Sequence, residues 1–249
     1  MKHGTVGSVL RSNQAYYSQI CATESLEWGI AYWSEAFPAV AEANQFREVI
    51  VSDAAVMPQA LAAATDFFTN RGLRCRRWAP AADQPIDAQR TFLESHGFEP
   101  RHTLAMRLEA WPAPLDVAGV RVLPARAMRA AFRETFAGDD AATIELANER
   151  LDDPSLDMLV AMVDNRPAGR CAFFEVGDIG RIVGLNVVES MRGRGVATAL
   201  LSSALAVAHR VASRIVCAQV DAENGVARAC FERIGFRQDG VIVEFDAVA

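Results

Sequence analysis

The 249-residue chain is 51% hydrophobic and 22% charged, ordinary values for a globular protein, which exclude a disordered tail, a collagen-like repeat and a disulfide-stapled miniprotein. A formal charge of −6 argues against nucleic acid or an anionic membrane as a bulk electrostatic partner. No apolar run approaches the ~18 residues of a spanning helix and no signal-peptide core opens the chain, so a cytoplasmic protein with no membrane partner is expected.

Taken in chain order, residues 8–20 read as helical and Glu27–Trp33 as a strand closed by Phe37-Pro38. Phe46–Val51 is a second strand, and the Ala-rich Gln59–Thr69 a helix stopped at Arg71-Gly72. Leu73–Trp78 alternates as a strand, Ile86–His96 is helical up to Gly97, and Thr103–Leu108 is a strand. Trp111-Pro112-Ala113-Pro114 continues neither a helix nor a central strand and reads as a linker.

Beyond it come a strand at Val120–Leu123, helical stretches at 126–136 and 140–151, and strands at Leu156–Val163 and Arg170–Val176 around the turn-rich segment 164–169. Arg181–Val188 is another strand, followed by a polar glycine loop (189–195) and an apolar helix over Val196–Val211. Ile215–Val220, Asn224–Ile234 and Val241–Phe245 complete a strand, helix, strand series. The expected fold class is α/β (α+β): an antiparallel meander that turns into an αβ layer.

All four Trp and all three Tyr lie within the first 111 residues, while the remaining 138 hold only seven Phe among their aromatics. The heptads 92–98 (Phe-Leu-Glu-Ser-His-Gly-Phe) and 230–236 (Cys-Phe-Glu-Arg-Ile-Gly-Phe) match at a shift of 138, in the same order of elements. Two copies of one architecture are expected, with domains at 1–114 and 115–249. The five cysteines form no Cys-x-x-Cys pair and no His sits at ligand spacing, so no metal is expected. Cys21, Cys171 and Cys217 read as buried small hydrophobes.

The chemistry concentrates in Leu185–Leu200, where a strand runs into a glycine loop that opens a helix. The free N–H groups of a first helical turn, with the positive end of the helix dipole behind them, form an anion site for a phosphate or pyrophosphate. Arg192 and Arg194 add charge. A P-loop requires Gly-Lys-Ser/Thr, and Lys2 is the only lysine, so that use is eliminated. A dinucleotide fingerprint needs a glycine at 198, which is Thr, although Asp221 lies near the place of a ribose-binding acid.

The stretch Arg192-Gly193-Arg194-Gly195-Val196-Ala197 resembles the acetyl-CoA motif of the GNAT superfamily of N-acyltransferases, Arg/Gln-x-x-Gly-x-Gly/Ala. The Leu-x-Val upstream is present as Leu185-Asn186-Val187, and the downstream pattern as Asn224, Ala227, Phe231, Gly235 and Phe236. The resemblance covers 118–249. It implies two GNAT-like domains, each a mixed, mostly antiparallel sheet flanked by helices, the first degenerate because Ser52–Pro58 replaces its glycine loop.

By the same resemblance, Leu185 and Val187 offer backbone hydrogen bonds to pantetheine, the Val187 N–H polarises the thioester carbonyl, and the N–H groups of Arg192 through Thr198 hold the pyrophosphate. Asn224 contacts the pantetheine or orders the following loop, and Asn186 faces the acceptor. The Tyr that often protonates the thiolate is Phe231 here. General-base candidates are Glu175 and Glu189, with Asp221 and Glu223 behind them. The implied function is acetyl-CoA-dependent N-acetyl transfer to a small amine or amino-acid-like acceptor. A non-catalytic acyl-CoA-binding protein and a dinucleotide-binding protein are the alternatives.

Overall fold

The computed structural model describes residues 4–82, 84–113 and 115–248. Lys2 and Pro114 lie outside the described residues. Helix α1 (Thr5–Ser18) leads into β1 (Ala22–Leu26), β2 (Gly29–Trp33) and β3 (Gln45–Val49), then α2 (Met57–Thr69), β4 (Arg77–Pro80), α3 (Ile86–Ser95) and β5 (Phe98–Leu108). After the proline segment come β6 (Val120–Pro124), α4 (Arg129–Glu134), α5 (Ala141–Glu149), β7 (Leu156–Val163), β8 (Arg166–Val176) and β9 (Ile179–Val187). Helix α6 (Val196–Arg210), β10 (Ile215–Asp221), α7 (Gly225–Arg233) and β11 (Phe236–Ala247) finish the chain.

Two compact units result, and neither is a contiguous half. A C-terminal unit takes Leu104–Gly240 with Met1–Ser12, and an N-terminal unit takes Asn13–Thr103 with Val241–Ala249. This differs from a linear division at 114/115, and long-range strand pairing is the reason. Strand β4 pairs antiparallel with the end of the chain, Trp78 opposite Phe245 and Arg77 opposite Asp246. The start of α1 belongs to the other unit, where Thr5 Oγ1 donates to Asp239 (2.5 Å).

In the N-terminal unit β1, β2 and β3 form an antiparallel meander, and β3 runs parallel to β4 across the α2 crossover. Its core holds the aromatics: Trp78, Phe46, Phe68 and Phe245 are fully buried, with Phe46 edge-on to Trp78 at 5.2 Å. Trp78 Nε1 donates to Gln89 Oε1 (3.1 Å), so the buried indole is not left unsatisfied. On the opposite face of the sheet lies a buried ion pair, Arg47 Nη2 to Glu244 Oε1 at 2.7 Å.

In the C-terminal unit β6, β7, β8 and β9 form the antiparallel meander, and β9 runs parallel to β10 across α6. The β7–β8 turn is the two-residue Asp164-Asn165, both at positive φ, so β8 begins four residues earlier than the composition of that turn suggests. Leu200, Leu201, Ala204 and Leu205 of α6 pack on Leu159, Ala161, Phe173 and Ile182. Each fully buried leucine contributes about 2 kcal/mol, which fixes the start of α6 against the sheet.

Helices α3 and α7 end alike. Gly97 and Gly235 both sit at positive φ, and the Phe that follows each (Phe98, Phe236) is buried at the head of a strand. Of the five cysteines, all free, Cys171 and Cys217 are buried as expected, whereas Cys21 is only half-buried because it precedes an edge strand.

Candidate functional site

Strands β9 and β10 pair over only four rungs, from Ile179–Ile215 to Ile182–Ala218, and then part. A bulge explains where they part. On the β8 side the register shifts between Arg170–Asn186 and Ala172–Val183, so Gly184 and Leu185 together oppose Cys171. Such an extra residue bends its strand, and here it directs Leu185–Val187 away from β10. The Val188 N–H donates to Ala168 O of β8 (2.9 Å), so by strand alternation the Val187 and Leu185 amides point into the gap.

At the open end of the gap a 3-10 turn, Glu189–Met191, leads to Gly193 (φ 76°) and Gly195 (φ 78°), the residue preceding α6. Positive φ at two positions is what glycine permits at least cost. At Gly195 a Cβ would also lie 2.6 Å from Val117 Cγ1. The Ala199 N–H is the first to return to the loop, on Gly195 O at 3.0 Å. The N–H groups of Val196, Ala197 and Thr198 therefore have no partner one turn back and face outward at the positive end of the helix.

These elements enclose a cleft of about 440 Å³ in the C-terminal unit. Leu185, Val187, Arg192, Gly193, Gly195, Val196, Ala197, Thr198 and Asn224 line it. Asn224 caps α7, its Oδ1 accepting the Ala227 N–H at 2.9 Å, so it orders the α7 wall. Arg194, expected in the anion cradle, is not part of the lining, and its guanidinium turns to Asp164 in the β7–β8 turn (2.8 Å).

Three further expected residues stand elsewhere. Phe231 is 4% exposed and packs edge-on to Phe236 at 5.1 Å, in the core beneath the cleft. Glu189 is exposed on the 3-10 turn, outside the lining. Glu175 sits opposite Gly180 at the far end of the β8–β9 ladder, accepting from Ser213 Oγ (3.4 Å). Val187 is seven residues along β9 from that rung, roughly 23 Å at strand rise, which puts Glu175 beyond reach of a reaction in the gap.

Three residues not anticipated from the sequence, Val226, Cys230 and Arg233, line the α7 side. The helical steps from Ala227 to Cys230 and on to Arg233 were the available signal, since residues three apart share a face.

The face of the sheet opposite α6 carries different chemistry. Ile182, Val216 and Ala218 point into the α6 core, so Arg181, Asn186, Cys217, Gln219 and Asp221 point the other way. Arg170, cross-strand from Asn186, holds the segment after α4: it donates to Thr135 O and to Asp139 Oδ2 (2.9 Å), and its guanidinium lies 3.4 Å from the Phe136 ring centroid. Burial lowers the Arg170 pKa, and the Asp139 carboxylate offsets part of that. Burial raises the Cys217 thiol to about 11, so it is protonated at neutral pH.

Among the described residues no group of three or more His, Cys, Asp or Glu is placed to hold a metal, and no helix is long and apolar enough to cross a membrane.

Residues 125–236 match the model of the acetyltransferase (GNAT) family. Solved structures share the fold over nearly the whole chain. A functionally unknown conserved protein from Staphylococcus epidermidis aligns with TM-score 0.70 at 13% identity, over 92% of this chain and 95% of its own. GCN5-related N-acetyltransferases from Kribbella flavida (TM-score 0.69, 16% identity, 97% and 95%) and Sphaerobacter thermophilus (TM-score 0.59, 16% identity, 98% and 92%) align likewise. The search of curated proteins found no match.

Proposed function

We propose that this protein is an acetyl-CoA-dependent N-acetyltransferase acting on a small amine or amino-acid-like acceptor, with catalysis confined to the C-terminal unit. The observation that carries the reading is the cleft in which the β9–β10 gap, the glycine loop and α7 meet. Its residues fit the co-substrate: the glycine cradle and the first-turn N–H groups suit a pyrophosphate, and the outward amides of Leu185 and Val187 suit a pantetheine arm. Acetyl-CoA supplies an acyl group activated as a thioester.

The chain's own contributions are positional and electrostatic. The Leu185 and Val187 N–H groups are fixed by the bulge before any ligand arrives, which lets them act as oxyanion donors without reorganisation. The cleft lining contains no carboxylate. Asp221 is the carboxylate at the open end of the fork, on the acceptor face, with Oδ1 accepting the Glu223 N–H at 3.0 Å. We assign to it the removal of the acceptor proton. Asp221→Asn is expected to lower kcat about 100-fold, with the acetyl-CoA Kd within twofold of wild type. A general acid is dispensable because a thiolate, with a pKa near ~8.5, leaves unaided.

The reading of the chain as a tandem GNAT protein is supported by the matched β-α-β-α order and by the shared ends of α3 and α7. A second reading, acyl-CoA binding without turnover, is favoured by the burial of Phe231 and the carboxylate-free lining. Thermal stabilisation by acetyl-CoA, CoA and NAD, followed by thiol release with an amine panel, separates the possibilities. Stabilisation by acetyl-CoA with no thiol release on any amine supports the second reading, and stabilisation by NAD alone overturns both.

A further inference from the structure

Arg181 is 6% exposed, on the last rung but one before β9 and β10 part, opposite Cys217. It belongs to the face opposite α6, the face of Asn186 and Asp221. Its Nη2 donates to Gln219 Oε1 at 3.3 Å. Gln219 is the first β10 residue beyond the paired rungs and is half-buried, so the guanidinium reaches from the floor of the fork to the level at which the strands have separated. A buried guanidinium is always charged and presents a planar fork of donors suited to a carboxylate.

The spacing adds a second constraint. Gln219 and Asp221 are consecutive residues on one face of β10, so a group beside Gln219 lies about 7 Å from the Asp221 level. A cation and an anion held one such step apart complement an acceptor whose amine and carboxylate are separated by a few bonds. The Cys217 thiol on the same rung as Arg181 is protonated and leaves that polarity intact.

We infer that Arg181, supported by Gln219, binds the carboxylate of the acceptor, and that the acceptor is an amino acid or a similarly compact amino carboxylate whose amine lies towards Asp221. This rests on the acyltransferase reading for its reaction, and the binding site can be tested without it.

The experiment compares amino acids with the corresponding amides and decarboxylated amines, in wild type, Arg181→Gln and Arg181→Lys. Wild type is expected to favour the acid by at least about 30-fold in kcat/KM, mostly through KM, because a site built to pair a charge rejects the analogue that lacks it. Arg181→Gln is expected to bring the acid down to the level of its amide, and Arg181→Lys to recover part of the preference. In parallel, N-acetylated amino acids and their amides are titrated onto the CoA-bound protein and the melting temperature read.

A carboxylate preference in binding without turnover of any acceptor supports the site and removes the acyltransferase reading. Transfer that is indifferent to the carboxylate, or an Arg181→Gln loss equal for acid and amide, overturns the inference. If Arg181→Gln does not fold, the wild-type comparison of acid with amide decides alone.

Discussion

The two β-α-β crossovers of this chain differ at the places where a ligand would enter. In the N-terminal unit β3 and β4 stay paired to their ends, Val49 opposite Pro80, and the ladder continues as the Ala81 N–H donates to Val49 O at 3.0 Å. The segment before α2 is a 3-10 turn whose Ala55 N–H is satisfied by Asp53 Oδ1 (2.9 Å), and Pro58 removes another donor from the first turn. A carboxylate already occupies the position an anion would take. In the C-terminal unit the strands part after four rungs, and two glycines leave the first-turn amides facing a cleft. The crossover is self-capped in one unit and left open in the other.

Both units pair buried arginines with carboxylates, Arg150 with Asp153 at 3.3 Å in the C-terminal one. The N-terminal unit holds two such pairs: Arg47 with Glu244, and Arg77 with Asp246 at 2.5 Å. Burial alone would raise the Glu244 pKa, but the Arg47 and Arg77 guanidiniums outweigh it and hold the carboxyl down at about 2. Glu244 lies on the final strand, so the pair fastens the chain end into the unit. Breaking it should give the largest effect. Glu244→Gln leaves Arg47 charged and buried without its carboxylate, at a cost of about 3–5 kcal/mol in chemical denaturation.

The sign of the pH effect follows from the lowered pKa. A carboxyl near 2 when folded and ~4.3 when unfolded stabilises above about pH 4, and that contribution fades as pH falls towards 2. Wild type should therefore lose stability over that window, and Glu244→Gln should flatten the slope. An unchanged denaturation midpoint would show that the chain end is held by packing alone.

The second test converts the open junction into the closed one. At Gly193 a Cβ meets nothing within 4 Å, and Asp tolerates positive φ better than most residues, so Gly193→Asp should fold. Its carboxylate would cap the α6 amides much as Asp53 caps its own turn. Acetyl-CoA affinity, measured by calorimetry, should fall about 100-fold, equivalent to about 2.7 kcal/mol, with little change in melting temperature. Affinity within threefold of wild type would mean that the first-turn amides do not carry the binding.

Much of this contrast was legible in the sequence because it is local. Gly193 and Gly195 before an apolar helix announced the open junction, and Ser52–Pro58 announced its absence in the first half. Asp164-Asn165 carried its own turn chemistry. Strand β1 was missed because Ala22–Leu26 is an exposed edge with no apolar face to betray it. The exchange of chain ends was hidden because pairing of residue 78 with 245 depends on register, not composition. For the same reason Arg181 did not stand out: alternation reveals which face a strand residue takes, but not how far it lies from the point where two strands part.

Glu175 supplies the smallest expected effect and tests that last point most directly. It reads as a catalytic carboxylate on a central strand, yet its rung with Gly180 belongs to the closed end of the β8–β9 ladder, where Ser213 Oγ is its hydrogen-bond donor. Glu175→Gln keeps the shape and an acceptor for that hydroxyl, so stability should change by less than about 1 kcal/mol. Acetyl transfer should stay within twofold of wild type. Paired with Asp221→Asn in one assay, the substitution asks whether position along the fork, rather than residue type, decides which carboxylate works. A tenfold loss at Glu175 with none at Asp221 would place the reacting amine at the wrong end of β9 and undo the distinction between the paired and parted ends of the fork.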